Sequence, residues 1–375
     1  MARGRRRPRV LFLFTELYAN GGIQRFNQTI LEACGRLEIE CRVLSLNDSP
    51  ASVEDHRTGP AITVAGFSGS RRRFTLAAAA TLLRRDYDRV LIGHVNLLTL
   101  FIGILSVVRY RPPQTLLIAH GIEVWSGLGR LRRFALSRTD RILCVSNYTK
   151  QRILEQAPTL AAERLVIFPN ALADTWARAA PAAPTRTLPE RFILSVTRLE
   201  RGDRYKGIAS VIEAFSMLAD RSLEYLVVGH GNDLVFLEAI ARRCGVADRV
   251  HFVRGVSDSE LITLYERCEA FVLPSGKEGF GIVFLEAMFF GAPVIAADEK
   301  GAKDVVRDGD TGLTVRFGDT IGIKEAIERL ASIPALRARL CAAGRATVIE
   351  GGPFTFDRFA ERCAVNLGMD EPISA

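Results

Sequence analysis

Residues 270–297 read AFVLPSGKEGFGIVFLEAMFFGAPVIAA. The runs 270–274 and 293–297 are apolar and rich in strand-forming residues, and 281–290 between them has helix length. Strand, glycine-rich loop, helix and second strand make a βαβ unit. Neither strand alternates polar with apolar residues. Such strands are covered on both faces, which is the signature of a parallel sheet. The same alternation continues outward from this stretch. Strand-like runs lie near 192–198, 224–228 and 250–254, with helix-length segments at 208–218 and 258–268. Earlier runs lie near 10–15, 41–46, 89–94, 115–120, 142–146 and 165–168. Between the two series, residues 177–189 carry three prolines and no periodic apolar face, which reads as a linker. The expected class is α/β: two Rossmann-like domains whose parallel sheets face a central cleft. Ligands of such sheets bind at the C-terminal ends of the strands.

The chain has 375 residues, enough for about two domains at roughly 100–200 residues each. With 48% apolar and 25% charged residues, it is neither disordered nor fibrous. The longest apolar stretch, 97–108, falls short of the roughly 20 residues that span a bilayer. The arginine-rich start resembles a signal-peptide n-region, but the apolar run 10–14 behind it is too short for an h-region. A cytoplasmic protein is expected. The seven cysteines are scattered and contain no Cys-x-x-Cys, so neither a disulfide framework nor a zinc site is expected. The five histidines contain no His-Glu-x-x-His, and no catalytic metal is expected.

Charge is uneven. Residues 1–180 hold 26 Lys+Arg against 14 Asp+Glu, whereas 181–375 hold 24 against 28. A basic half fits a polyanionic partner, either nucleic acid or an anionic membrane face. It equally fits a solvated surface in a chain with 44 Arg and 6 Lys. A nucleic-acid binder would add a recognition element or stacking aromatics to that half, and only the charge is there.

Five loops after strands could carry chemistry. Gly21-Gly22 opens a helix, where bare backbone can approach a phosphate or sugar, or simply make a tight turn. It is not a Gly-x-Gly-x-x-Gly, and NAD is disfavoured. His120-Gly121 closes a strand, where the imidazole can donate to a hydroxyl or phosphate, or serve structure alone. Arg198 and Lys206-Gly207 flank a polar loop. Two such cations suit a diphosphate or are solvated surface charge. Gly229-His230-Gly231 is weak by itself. The segment 274–288 says most: Glu278 ends a glycine-rich loop, Gly279 and Gly281 keep the backbone bare, and Glu286 lies inside the helix that follows. A helix N-terminus there can hold a phosphate, and Glu286 can accept from ribose hydroxyls. Asp308-Gly309-Asp310 looks like a metal-binding Asp-x-Asp but reads better as a surface turn.

Taken together, these residues resemble family 4 retaining glycosyltransferases of the GT-B fold. The matching pieces are Gly21-Gly22, His120-Gly121, Arg198 with Lys206-Gly207, Gly229-His230-Gly231, and Glu278 with Glu286 as a Glu-x7-Glu motif. Gly291-Ala-Pro293 and Asp308 to Gly312 also fit, and Gly301-Ala302 departs from the usual glycine pair. The match runs through nearly the whole chain in order.

The resemblance implies an acceptor-binding domain over 1–180 and a donor-binding domain over 181–353. A C-terminal helix within 354–375 would pack back on the first. It implies transfer of a hexose from GDP-mannose or a UDP-hexose to a saccharide or lipid-linked acceptor, in bacterial cell-surface polysaccharide or glycolipid assembly. Arg198 and Lys206 would bind the diphosphate, Glu286 the ribose, and Glu278 with the N–H groups of Phe280 and Gly281 the hexose. His120 would contact the hexose from the other domain. Gly22 would lie against the phosphates or the acceptor, residues near Val253–Gly255 would line the nucleobase, and Gly229 and Ile282 would also belong to the donor site. No cofactor or metal would be needed: fixed cations and a helix tip would meet the leaving charge. The expected location is cytoplasmic, peripheral on the inner membrane face, with no nucleic-acid partner. Two rivals stay open: a nucleotide-sugar epimerase of the same fold and a catalytically silent nucleotide-binding subunit.

Overall fold

The computed structural model describes residues 7–19, 21–56, 61–84, 86–107, 113–182, 187–349 and 351–369. The arginine-rich start through residue 6, Asn20 of the first glycine loop, Val108, residues 183–186 of the proline-rich stretch and residues 370–375 lie outside them.

The first sheet holds seven strands: β1 (Arg9–Phe14), β2 (Glu40–Ser45), β3 (Ile62–Gly66), β4 (Arg89–Ile92), β5 (Gln114–Ala119), β6 (Arg141–Cys144) and β7 (Leu165–Ile167). Their order is β3-β2-β1-β4-β5-β6-β7, and every pairing is parallel. The second holds β8 (Phe192–Val196), β9 (Glu224–Val228), β10 (Val250–Val253), β11 (Ala270–Leu273), β12 (Val294–Ala297) and β13 (Leu313–Val315), ordered β10-β9-β8-β11-β12-β13 and again parallel. Central strands are buried through both faces, as the unbroken apolar runs require: Val10 to Phe14 and Ala270 to Leu273 are all buried. Two strands escape the sequence reading, and both lie at sheet edges. β3 has one buried residue and β13 sets Thr314 between Leu313 and Val315, so neither makes an apolar run.

Contacts divide the chain into Met1–Asp174 with Phe356–Ala375, and Thr175–Thr355. The first break falls ahead of the proline-rich stretch. Residues just past it already belong to the second unit: the Trp176 ring lies 5.6 Å from that of Phe290, and the Ala182 N–H donates to Ser259 O at 3.1 Å. The helix Phe356–Leu367 belongs to the first unit. Its Phe359 ring packs on Phe26 and Phe168 at 5.7 and 5.1 Å, and Arg89 Nη1 donates to Asn366 O at 2.8 Å.

Each sheet contains a switch point where successive strands depart in opposite directions, and loops at such a point splay apart to leave a crevice. In the first sheet it lies between β1 and β4, in the second between β8 and β11. The loops after β8 and β11 carry Arg198, Lys206 and Glu278. Among the described residues no helix is long and apolar enough to cross a membrane.

Candidate active site

The loop after β8 is not irregular, as the polar sequence suggests, but a 3-10 helix, Arg201–Lys206. It closes on Gly207 at φ +81°, where a Cβ would lie 2.7 Å from Pro274 O. Only glycine lets this turn pass so close to the end of β11. The turn is held from two sides. Arg204 grips the buried Asp233 through two bonds of 2.8 and 2.7 Å and stacks on Phe236 at 3.7 Å. Gly276 N–H donates to Tyr205 O at 2.8 Å.

Lys206 is thereby delivered to Glu278. Its Nζ donates to Glu278 Oε2 at 2.7 Å, with the two side chains 17% and 13% exposed. Arg198 is 58% exposed and pairs with Asp203 at 3.0 Å. The other Asp203 oxygen accepts from Tyr205 OH at 2.8 Å. Burial first, then this carboxylate, raises the Tyr205 pKa, so the phenol stays protonated. Lys206 Nζ and Lys277 Nζ lie 5.6 and 5.7 Å from the centre of its ring. Both expected diphosphate cations are therefore present, each beside a carboxylate.

The helix after this loop is Ile282–Phe289, with Gly281 as its cap at φ +92°. A Cβ there would meet the Phe284 ring at 2.4 Å. Phe280 and Ile282 turn their side chains inward, and Phe280 lies edge-on to Phe354 at 5.4 Å. What they can offer a ligand is backbone. Glu286 is 1% exposed and accepts from Tyr265 OH at 2.9 Å. Tyr265 comes from the helix Asp258–Arg267, which begins with a capping box between Ser257 and Glu260. The glycines after β9 serve close packing: at Gly229 a Cβ would stand 1.9 Å from Thr197 O, and at Gly231 2.1 Å from Leu199 O. Val253 is buried at the end of β10, and its carbonyl accepts from Gly229 N–H at 3.0 Å.

In the first unit, Gly22 starts the helix Gly22–Arg36. The chain between β1 and this helix is tied down by the buried Asp48, which accepts from Leu17 N–H at 2.7 Å and Ser45 Oγ at 2.5 Å. His120 stands at the end of β5. Its Nε2 donates to Gly93 O at 2.9 Å, so that nitrogen is not the ligand donor the sequence suggests; the remaining ring nitrogen is an acceptor. Desolvation pushes its pKa down to about 4, against the opposing pull of the Gly93 carbonyl. Glu123 Oε1 accepts from the N–H groups of His120 and Gly121 at 2.6 and 3.1 Å. His94, after β4, has its pKa lowered by burial, with Glu123 working the other way.

Asp308 and Asp310 do not converge. Asp308 Oδ1 accepts from Thr314 N–H at 2.8 Å, and Asp310 pairs with Arg307 at 2.7 Å. Among the described residues no cluster of three or more His, Cys, Asp or Glu is arranged to hold a metal.

Asp203, Tyr205, Tyr265 and His94 were missed in the sequence. None has a local signature. Tyr265 and His94 matter through groups distant in the chain, Glu286 and Glu123, whereas Asp203 and Tyr205 bond each other within Arg201–Lys206 and Asp203 also pairs with Arg198 of the same loop.

Residues 20–175 match the family model described as Glycosyltransferase Family 4, and residues 180–347 the one described as Glycosyl transferases group 1. Over 275 residues the chain is 30% identical to the GDP-mannose-dependent alpha-(1-6)-phosphatidylinositol monomannoside mannosyltransferase of Mycobacterium tuberculosis, across 69% of this chain and 70% of that one. The chain belongs to glycosyltransferase family 4. The like-named enzyme of Mycolicibacterium smegmatis is 34% identical to this family 4 chain over 245 residues, which span 60% of this chain and 63% of the relative. Among solved structures, Anabaena HepE in complex with UDP and glucose superimposes with a TM-score of 0.78 at 18% identity, over 96% of this chain and all of that one. Sucrose-phosphate synthase of Thermosynechococcus elongatus gives 0.79 at 19% identity, over 96% and 98%. The family 4 chain has the GT-B fold.

Proposed function

We propose that this protein transfers a hexose from a nucleoside-diphosphate sugar to a hydroxyl of a saccharide or lipid-linked acceptor, with retention at the anomeric carbon. The observation that carries this reading is the meeting of Lys206 and Glu278 beside the first turn of the Ile282–Phe289 helix, at the switch point of the second sheet. The hard step is breaking the anomeric C–O bond while negative charge grows on the departing diphosphate. Arg198, Lys206 and the helix N-terminus meet that charge, and preorganised donors of this kind are each worth about 10²–10³ in rate. The diphosphate takes the acceptor's proton as the new bond forms on the same face, so no enzymic nucleophile and no metal is invoked. Glu278 and the backbone N–H groups of Phe280 and Gly281 orient the hexose. Glu286 serves the ribose once Tyr265 yields or shares its oxygen. In the second unit Gly229 and Val253 supply close backbone and apolar lining, and in the first unit Gly22 offers bare backbone at a helix start. In the first unit, His120 offers an acceptor nitrogen to a sugar hydroxyl.

GDP-mannose is the first donor to test, because two relatives are named as GDP-mannose-dependent, and a UDP-hexose is the second. The same relatives act on a phosphatidylinositol mannoside by name, which favours a lipid-linked saccharide as acceptor. We further propose peripheral contact of the first unit with the anionic inner face of a membrane. The helix Arg130–Ser137 supports it, exposing Leu131 and Phe134 among Arg130, Arg133 and Arg138.

The deciding experiment is a thermal-shift screen of GDP, UDP, ADP and their sugar conjugates. A selective rise in Tm with GDP-mannose or a UDP-hexose is expected by mass action. No shift with any of them overturns the reading. An epimerase would change the sugar with no nucleotide released, so product analysis separates it. A silent subunit is disfavoured by the presence of Arg198, Lys206, Glu278 and Glu286 together.

A further inference from the structure

Lys300 has φ +52°, one of three non-glycine residues in the left-handed region among those described. It follows β12, the neighbour of β11, and its side chain folds back toward the loop that carries Glu278. Its Nζ donates to Gly276 O and pairs with Glu299 Oε2, the latter at 2.9 Å. The N–H of the same Gly276 is held by Tyr205 O, and its Cα face by the Phe317 ring, which a Cβ would meet at 2.8 Å. One residue further on, Gly301 N–H donates to Glu278 O at 3.0 Å. Gly301 approaches so closely that a Cβ would stand 2.0 Å from Gly279 O. Lys300 and Gly301 thus hold residues 276–279 from one side while Tyr205 and Lys206 hold them from the other.

The turn at Lys300 is what lets Gly301 reach Glu278. Glycine would adopt it without steric cost. A lysine there keeps the strain and adds an ammonium that glycine lacks, and strain retained at such a place points to a role. We propose that Lys300 is a positioning residue. By fixing the Gly276 carbonyl it sets the loop, and so the Glu278 carboxylate and the N–H groups of Phe280 and Gly281, in register for the hexose. This rests on the donor-site reading given above.

The test compares the full-length protein with Lys300→Gly, Lys300→Met and Lys300→Arg. Amide hydrogen exchange over 276–281 is expected to quicken by about tenfold or more in Lys300→Gly and Lys300→Met, and to stay slow in Lys300→Arg. Lys300→Gly is expected to melt no lower than wild type, because the left-handed strain is relieved. GDP and UDP affinities stay within about threefold, while kcat for GDP release from GDP-mannose falls by about tenfold or more. Exchange unchanged in Lys300→Gly and Lys300→Met overturns the proposal, as does wild-type kcat in both. Lys300→Met leaves the backbone demand as it is, so it decides the matter if the glycine variant folds poorly. Failure of the wild-type protein to bind any sugar nucleotide would count against the donor-site reading instead, and the exchange measurement would still judge the clamp.

Discussion

Lys206 Nζ lies 2.7 Å from Glu278 Oε2, although 72 positions separate the two residues. The pair forms because β8 and β11 are adjacent in the second sheet and Gly207 can pass against Pro274. Without ligand, each charge is the other's partner. A diphosphate arriving at Lys206 must compete with the carboxylate.

Replacing Lys206 by Ala is therefore expected to lower turnover by about 10²–10³, the cost of one preorganised donor to the leaving charge. Glu278→Gln should separate the two roles. It frees Lys206 for the diphosphate, so calorimetry should find GDP or UDP bound severalfold more tightly, while turnover falls because the hexose loses its carboxylate. Weaker binding of both nucleotides by Glu278→Gln would show that the pair does not compete with them.

Tyr265→Phe removes a hydroxyl that donates to the buried Glu286 at 2.9 Å. A carboxylate that loses a donor in the interior costs about 1–3 kcal/mol. Urea denaturation should show that loss at unchanged m-value. A difference under about 0.5 kcal/mol would mean that another partner of Glu286 takes over.

His120 is neutral in the folded chain down to about pH 4, whereas an unfolded histidine titrates near 6.5. Between these values the unfolded state binds the extra proton, so stability rises with pH and is lost as pH falls from about 6.5 toward 4. Denaturation midpoints measured from pH 4 to 7 should lose up to one proton's worth of slope in His120→Gln, with His94 contributing to whatever remains. For the same reason, protonation of His120 should not shape the activity profile between pH 6 and 8.

Two glycines with similar backbone angles should differ in consequence. Gly207 (φ +81°) has Pro274 O at 2.7 Å from a Cβ, and Gly309 (φ +66°) has open space. Gly309→Ala should cost about 1–2 kcal/mol, the left-handed penalty alone. Gly207→Ala should cost more than that and lower nucleotide affinity as well, because it displaces the turn that carries Lys206. Equal stability losses would remove the close-approach explanation.

Membrane contact makes a separate claim. Leu131 is 68% exposed and Phe134 50%, beside Arg130 and Arg133. Vesicle flotation should recover the protein with anionic lipid at low salt, less at high salt, and little with neutral lipid. Leu131→Ser with Phe134→Ser should abolish recovery without changing Tm. Equal recovery under every condition would end the proposal.

The α/β class, the parallel sheets and the family were legible in the chain. The runs 10–15 and 270–274 are apolar without alternation, and glycine-rich loops follow strands. These are local signals, set by side-chain hydropathy over a few residues and by backbone freedom at single positions. The edge strands β3 and β13 were not legible, because an edge tolerates polar residues within a strand and both have them, at Thr63 and Thr314.

Sequence alone determined that this chain builds repeated βα units, and which cations and carboxylates stand on the loops after strands. Tertiary structure alone decided their partners: Lys206 with Glu278, Arg198 with Asp203, Glu286 with Tyr265, and His120 Nε2 with the Gly93 carbonyl. Strand order brings Lys206 to Glu278 and His120 to Gly93, the packing of two helices brings Tyr265 to Glu286, and the folding of one loop brings Asp203 to Arg198. Strand order follows from burying whole apolar faces, a property of the assembled sheet that no single segment carries.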